Sequence, residues 1–118
     1  MNYEELEVWQ KAMELVTRLY RVTGKFPREE VYGLTSQLRR AAVSVPSNIA
    51  EGQGRKSTRE FLNHLSIAKG SLMEVQTQVE IARRLTFMTQ EQFQEIRKQT
   101  ETIAKLLNGL IRALNAKL

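Results

Sequence analysis

Apolar residues recur at helical spacing along almost the whole chain. Between Glu4 and Val22, Leu6, Trp9, Met13, Val16 and Tyr20 form one stripe, and Val8, Ala12, Leu15, Leu19 and Val22 form another. On an ideal helix these stripes lie about 120° apart. Leu34, Leu38, Ala41, Ala42, Val45 and Ile49 make a second, narrower pattern. Phe61, Leu65, Ala68, Leu72, Val75, Val79 and Ala82 then alternate steps of four and three, the inward seam of a left-handed bundle. Phe93, Ile96, Thr100, Ile103, Leu107, Leu110 and Leu114 repeat that seam, with Thr100 its polar member.

The punctuation between these patterns has physical causes. Thr23 and Gly24 end the first helix, and Pro27 followed by Glu29 and Glu30 supplies a start signal, with Gly33 leaving the start of the second helix open. The second helix is expected to stop near Gly52, whose tolerance of left-handed geometry suits a C-terminal cap. Ser57 with Glu60 has capping-box spacing before Phe61, and the third helix should run to about Leu85. Thr89 with Gln92 repeats the box before a fourth helix that reaches the C-terminus. The pattern predicts an all-α protein, one domain over residues 1–118, folded as an antiparallel up-and-down four-helix bundle with helices on the order of 40 Å.

The first helix carries more apolar surface than a bundle of this kind needs. One stripe can face the core while the other meets a neighbouring subunit, because large exposed apolar patches are uncommon on soluble monomers. Val8, Ala12, Leu15 and Leu19 are assigned to that subunit interface, the alternative being a deeply buried helix. Leu62, Ile67, Ile81 and Leu85, off the main seam of the third helix, add candidate contact surface.

The stretch from Leu34 to Arg59 reads LTSQLRRAAVSVPSNIAEGQGRKSTR and is the part of the chain that looks like a signature. Pro46 sits inside a helical pattern, where it removes one donor and deprives the Ala42 carbonyl of its normal partner, at a cost of roughly 3 kcal/mol. Ser44, Ser47 and Asn48 flank it and can bond backbone groups freed at a kink. Arg40, Ser44, Ser47, Asn48, Glu51 and Arg55 share the side opposite the apolar stripe. Pro46, Asn48, Glu51 and Gly52 are therefore singled out as a structural motif, within a polar strip that is either a solvated, kink-repairing face or a binding surface.

These residues carry a resemblance to a known family. Leu6, Val8, Trp9, Lys11 and Ala12 contribute to it, followed by Pro27, Glu30, Gly33, Leu34, Gln37, Leu38, Arg39, Arg40 and Ala41. It continues through Ser44, Pro46, Asn48, Ile49, Ala50, Glu51, Gly52, Gly54 and Arg55, then Glu60, Phe61, Leu65, Ala68, Gly70, Ser71 and Glu74. On them the chain resembles the 23S-rRNA intervening-sequence proteins, with only the last helix left to generic heptad spacing. The resemblance implies a four-helix bundle, a ring-shaped homo-oligomer, expected to be a pentamer, and a nucleic-acid role. The architecture is also similar to that of the accessory variability proteins of diversity-generating retroelements, which implies a reverse transcriptase as the alternative partner.

Charge sharpens the functional reading. Eighteen Lys and Arg oppose thirteen acids, all Glu, for a net charge of +5. From Leu38 to Glu60 five cations, Arg39, Arg40, Arg55, Lys56 and Arg59, face only Glu51 and Glu60. These five are the candidate RNA- or DNA-binding residues, since a basic surface repeated around an oligomer attracts phosphate by counterion release. Arg18, Arg21, Lys25 and Arg28, then Arg83 with Arg84, and Arg97 with Lys98 are further candidate patches, most of which read as solubilising helix surface when taken alone. Trp9, Tyr20, Phe26, Phe61 and Phe93 are explained by packing, leaving Tyr3, Tyr32 and Phe87 undecided. Without a recognition-helix or zinc-finger pattern, contact with backbone and shape is expected in place of base readout.

An enzymatic reading finds little to stand on, because the chain has one histidine, no aspartate and no cysteine. His64 falls beside the seam of the third helix, where a surface or satisfied structural role is expected. No catalytic residues, metal ligands or cofactor are assigned. The cysteine-free composition suits a reducing cytoplasm, and no apolar run approaches membrane-spanning length. Two functions remain: a non-enzymatic, oligomeric binding protein that contacts structured RNA or other nucleic acid, and a scaffold that docks another protein.

Overall fold

The computed structural model describes residues 2–118. A 3-10 turn at Tyr3–Glu5 precedes α1 (Glu7–Thr23), and a second at Arg28–Glu30 precedes α2 (Leu34–Gln53). α3 (Thr58–Arg84) and α4 (Gln90–Asn115) complete the order. Packing runs from α1 to α2, α2 to α3, α3 to α4 and α4 back to α1, so the four helices close an antiparallel square, 46 Å along its long axis. The α1–α2 connection and the α3–α4 turn share one end of this square. The α2–α3 turn lies at the other.

Local chemistry sets most helix ends where the pattern places them. Ser57 accepts from the Glu60 N–H at the start of α3, and Thr89 and Gln92 form a reciprocal capping box at the start of α4. The first helix begins three residues later than its apolar pattern, at Glu7 instead of Glu4. Asn2 caps the Glu4 N–H and winds Tyr3–Glu5 into a separate turn, leaving Leu6 extended. α3 ends in a paired 6→1 and 5→2 arrangement: the Phe87 N–H donates to the Ala82 carbonyl, and the Thr86 N–H to that of Arg83. Thr86 takes the left-handed position at φ 60°, which glycine usually fills.

Gly52 does not cap α2. The helix continues through Gln53, and no described glycine has a positive φ. Gly52 is buried because α3 crosses it: a Cβ there would lie 2.7 Å from the His64 Cβ and 2.9 Å from the Phe61 Cδ1. Its small size, not its backbone freedom, is what the fold uses. Pro46 is likewise buried inside an unbroken helix.

The core runs the length of the bundle through Leu15, Leu19, Leu38, Ile49, Leu65, Leu72, Ile96, Ile103 and Leu107, all fully buried. Thr100 is enclosed among them, its hydroxyl donating to the Arg97 carbonyl. Phe26 and Phe87, with ring centroids 5.5 Å apart, close the α1–α2 end together with Met88. The stripe of α1 that faces the core is the one expected to meet a neighbouring subunit. Val8, Ala12, Leu15 and Leu19 are buried within the single chain and have no surface for a neighbouring subunit. The stripe left at the surface is that of Leu6, Trp9, Met13, Val16 and Tyr20, partly buried or exposed. The second stripe wins the core because its Ala12 lets α1 approach the other helices where Trp9 and Met13 would hold it away.

Candidate functional site

A polar ladder runs along the junction of α2 and α3. Ser44 meets Ser71 with their hydroxyl oxygens 2.8 Å apart. One turn further on, Asn48 donates from Nδ2 to the Ser44 carbonyl at 2.9 Å and to its hydroxyl at 3.0 Å. The Asn48 Oδ1 lies 3.0 Å from Nδ1 of His64, whose Nε2 is 4.0 Å from Glu51 Oε1. The Arg55 Nη2 reaches the same carboxylate oxygen at 2.7 Å. Ser44, Asn48, Glu51 and Arg55 recur at steps of four and three, the spacing that puts them on one face of α2. Gly52 and Ser71 then let α3 come close enough for its side chains to answer them.

This arrangement resolves the polar strip of α2. Asn48 does not donate to the Ala42 carbonyl that Pro46 leaves short; its bonds go to Ser44 and to α3. Ser47 is exposed and stands outside the ladder. The strip is therefore chiefly an inter-helix device. His64, expected only to be surface or satisfied, is its central member. The signal lay in Asn48 and Glu51, but the partner is sixteen residues from Asn48 on another helix, beyond the reach of periodicity.

The five candidate nucleic-acid residues do not form one patch. Arg39 and Arg40 sit near the start of α2, whereas Arg55 and Lys56 belong to the α2–α3 turn and Arg59 to the first turn of α3, about 22 Å away at a rise of 1.5 Å per residue. Arg39 is committed to the fold: Nε donates to the Thr23 hydroxyl at 2.8 Å, Nη2 to the Tyr20 carbonyl at 3.2 Å, and the guanidinium stacks 4.4 Å over the Tyr20 ring. It thereby ties α2 to the C-terminal end of α1, adding a bond to a Tyr20 carbonyl that already accepts from the Gly24 N–H. Arg55 pairs with Glu51. Arg40, Lys56 and Arg59 are exposed with no acidic partner among the described residues.

Elsewhere some cations are answered by acids, and others, such as Arg21, Lys25, Lys98 and Arg112, have no acidic partner among the described residues. Arg18 bonds Glu95 at 2.6 Å between α1 and α4, and Arg97 bonds Glu101. Arg83 and Arg84 both hold Glu80, and these hydrogen bonds pull its carboxyl down from an ordinary 4.5 to about 2. The Arg83 guanidinium also lies 5.1 Å from the Phe93 ring centroid. Of the undecided aromatics, Tyr3 packs edge-on against Trp9, Phe87 against Phe26, and Tyr32 stands 96% exposed. Among the described residues no three His or Glu side chains converge as a metal-binding group, and no helix is long and apolar enough to cross a membrane.

An antiparallel four-helix square with a tight polar α2–α3 junction and unpaired cations at its ends defines a class of small helical-bundle proteins. The chain belongs to the 23S rRNA-intervening sequence protein family, whose model matches residues 4–109. It is also similar to a crystallised protein of unknown function from the S23 ribosomal protein family of Bacteroides thetaiotaomicron. The two share 27% identity and superpose with a TM-score of 0.82, over 88% of this chain and 97% of that one. No curated protein sequence matches the chain.

Proposed function

We propose that this chain is a non-enzymatic, oligomeric binding protein that contacts structured RNA through its basic surface. The observation that carries the reading is the pair Lys56 and Arg59, exposed and unpaired beside Arg55 at the α2–α3 turn of a chain with net charge +5. The family description, which names sequences intervening in 23S rRNA, points to the same class of partner. A ring of copies, expected to be five, repeats this turn around an axis and gathers charge that one copy lacks. Apolar residues outside the core supply contact surface for such a ring: Met13 and Tyr20 on α1, and Ile67, Met73, Ile81 and Leu85 along α3 and its end.

The test is binding of structured RNA over a range of salt concentrations. Reversing Arg55, Lys56 and Arg59 to Glu should weaken binding and flatten the slope of log K against log salt by roughly 2 to 3, with the helical signal kept. Unchanged affinity in that variant defeats the assignment. The same α3 stripe favours a second reading, in which the oligomer is a scaffold docking another protein, such as a reverse transcriptase in a diversity-generating retroelement. Purification from the source cell at low salt separates the two by whether a discrete RNA or a protein accompanies the chain.

A further inference from the structure

At the end of the bundle opposite the Lys56 turn, a groove of about 590 Å³ opens between the end of α1 and the start of α2. Arg28, Arg39 and Arg40 line it together with Thr35 and Ser36. Thr35 and Ser36 lie in the first turn of α2, whose N-terminus has no side-chain cap from Gly33. The Leu34 N–H donates to the Glu30 carboxylate and the Gln37 N–H to the Gly33 carbonyl, while those of Thr35 and Ser36 have no partner among the described residues. A Cβ at Gly33 would lie 2.9 Å from that same Glu30 oxygen, so the glycine leaves room for the cap.

A second observation is independent of the helix end. The Thr35 hydroxyl is buried, in a residue only 7% exposed, and has no hydrogen-bond partner. An unanswered buried hydroxyl is destabilising, and rotation of the Thr35 side chain towards the groove it lines lets a ligand bond it. Arg39 is already fixed by Thr23, Tyr20 and its stacking contact, with guanidinium N–H groups left over, and Arg40 is unpaired. Free amides at a helix start, a buried hydroxyl and three arginines together make a receptor for a phosphate group.

We infer that this groove binds the phosphate of a nucleotide. Tyr32, 96% exposed and next in sequence to the lining residue Val31, offers a ring on which the attached base can stack. The nucleotide is either free or the 5′-terminal residue of an RNA strand; the recognising chemistry is the same. The inference does not depend on the Lys56 surface, which lies at the far end of the bundle.

Calorimetric titration of the intact chain with inorganic phosphate, adenosine 5′-monophosphate and adenosine tests it. The two phosphates should bind and adenosine should be at least about tenfold weaker than the monophosphate. Arg40→Gln and Thr35→Val should each lower affinity for the monophosphate by about tenfold, and Thr35→Val should raise Tm, because it removes a buried hydroxyl with no partner. A higher Tm with unchanged affinity overturns the proposal, as does equal binding of adenosine and its monophosphate. A pair of short RNAs of one sequence, 5′-phosphorylated and 5′-hydroxyl, identifies the source. Preference for the phosphorylated strand assigns an RNA end, and a response to the monophosphate without such preference assigns a free nucleotide. Reversal of Arg55, Lys56 and Arg59 should leave monophosphate affinity unchanged, so that the groove and the RNA-binding surface succeed or fail separately.

Discussion

Beside aliphatic core residues such as Leu38, Ile49, Leu65 and Leu72, α2 and α3 bury Ala41, Ala42, Pro46, Gly52, Ala68 and Ser71, whereas α1 and α4, Ala12 apart, enter the core chiefly through Leu15, Leu19, Phe93, Ile96, Ile103 and Leu107. The first pair packs backbone close to backbone and is bridged by Ser44–Ser71 and Asn48–His64. The second pair is joined by bulk, with one exposed ion pair, Arg18–Glu95, between its helices. The difference is between two ways of specifying a helix junction. Large aliphatic residues give area and tolerate variation in angle and register; small residues give little area but admit only one approach, which side-chain hydrogen bonds then fix. The half with the sequence signature is thus the half whose geometry is most closely determined.

Opposite responses to changes in side-chain size test that contrast. Leu15→Ala, in the aliphatic half, removes a fully buried side chain and should cost about 3 kcal/mol in urea unfolding, the largest effect expected here. In the tight half the damaging change is an addition. Gly52→Ala puts a methyl group 2.7 Å from the His64 Cβ, an atom that moves only with the α3 backbone. It should destabilise by about 1 to 2 kcal/mol even though alanine is the better helix former. Gly70→Ala is the control: nothing lies within 4 Å, so the propensity gain stands alone and stability should rise by up to about 1 kcal/mol. If both glycine variants are stabilised, close approach is not what Gly52 provides.

The bridges are tested by a double-mutant cycle on Ser44→Ala and Ser71→Ala. Ser71 is 7% exposed and Ser44 half-buried, so removing either hydroxyl leaves the other without this partner. Each single variant should cost about 1 kcal/mol, and the double variant clearly less than their sum. Additive losses would mean that the 2.8 Å approach of the two hydroxyls contributes nothing to the junction.

Much of this was legible in the chain, and the reason differs by element. The seams of α3 and α4 were readable because every step of four and three carries an apolar residue or Thr100. Thr89 with Gln92 announced itself because both partners lie within four residues. Gly52 reads as a cap in the sequence because a glycine near a helix end has two explanations, backbone freedom and close approach, and only the position of His64 and Phe61 chooses between them. The core-facing stripe of α1 reads as an interface in the sequence for a similar reason: both stripes have the right period, and Ala12 against Trp9 is decided by the room the other helices leave. Arg39 and Arg40 look alike in sequence, yet one is held by Thr23 and Tyr20 and the other is free. Contacts across the fold, which local patterns do not encode, made each of those distinctions.

The smallest effect lies in the charges, where α3 carries an interaction within a single helix that owes nothing to either junction. Glu80 accepts from Arg83 and Arg84, and those hydrogen bonds hold its carboxyl at about 2, against an ordinary 4.5. A carboxyl whose folded value lies below its unfolded one binds fewer protons in the folded state in that interval, so its contribution is fully present above about pH 4.5 and fades as pH falls towards 2. Because the group is solvent-screened, the effect on the midpoint of unfolding should be slight, yet its sign is fixed. Glu80→Gln should reduce the loss of stability between these two pH values relative to the parent chain, and high salt should shrink the difference between them. An acid limb unchanged by Glu80→Gln would show that the two arginines are held to Glu80 no more tightly in the folded chain than in the unfolded one. The Ser44–Ser71 bridge of the α2–α3 junction holds no group that titrates in that range, so its coupling should respond to neither salt nor acid.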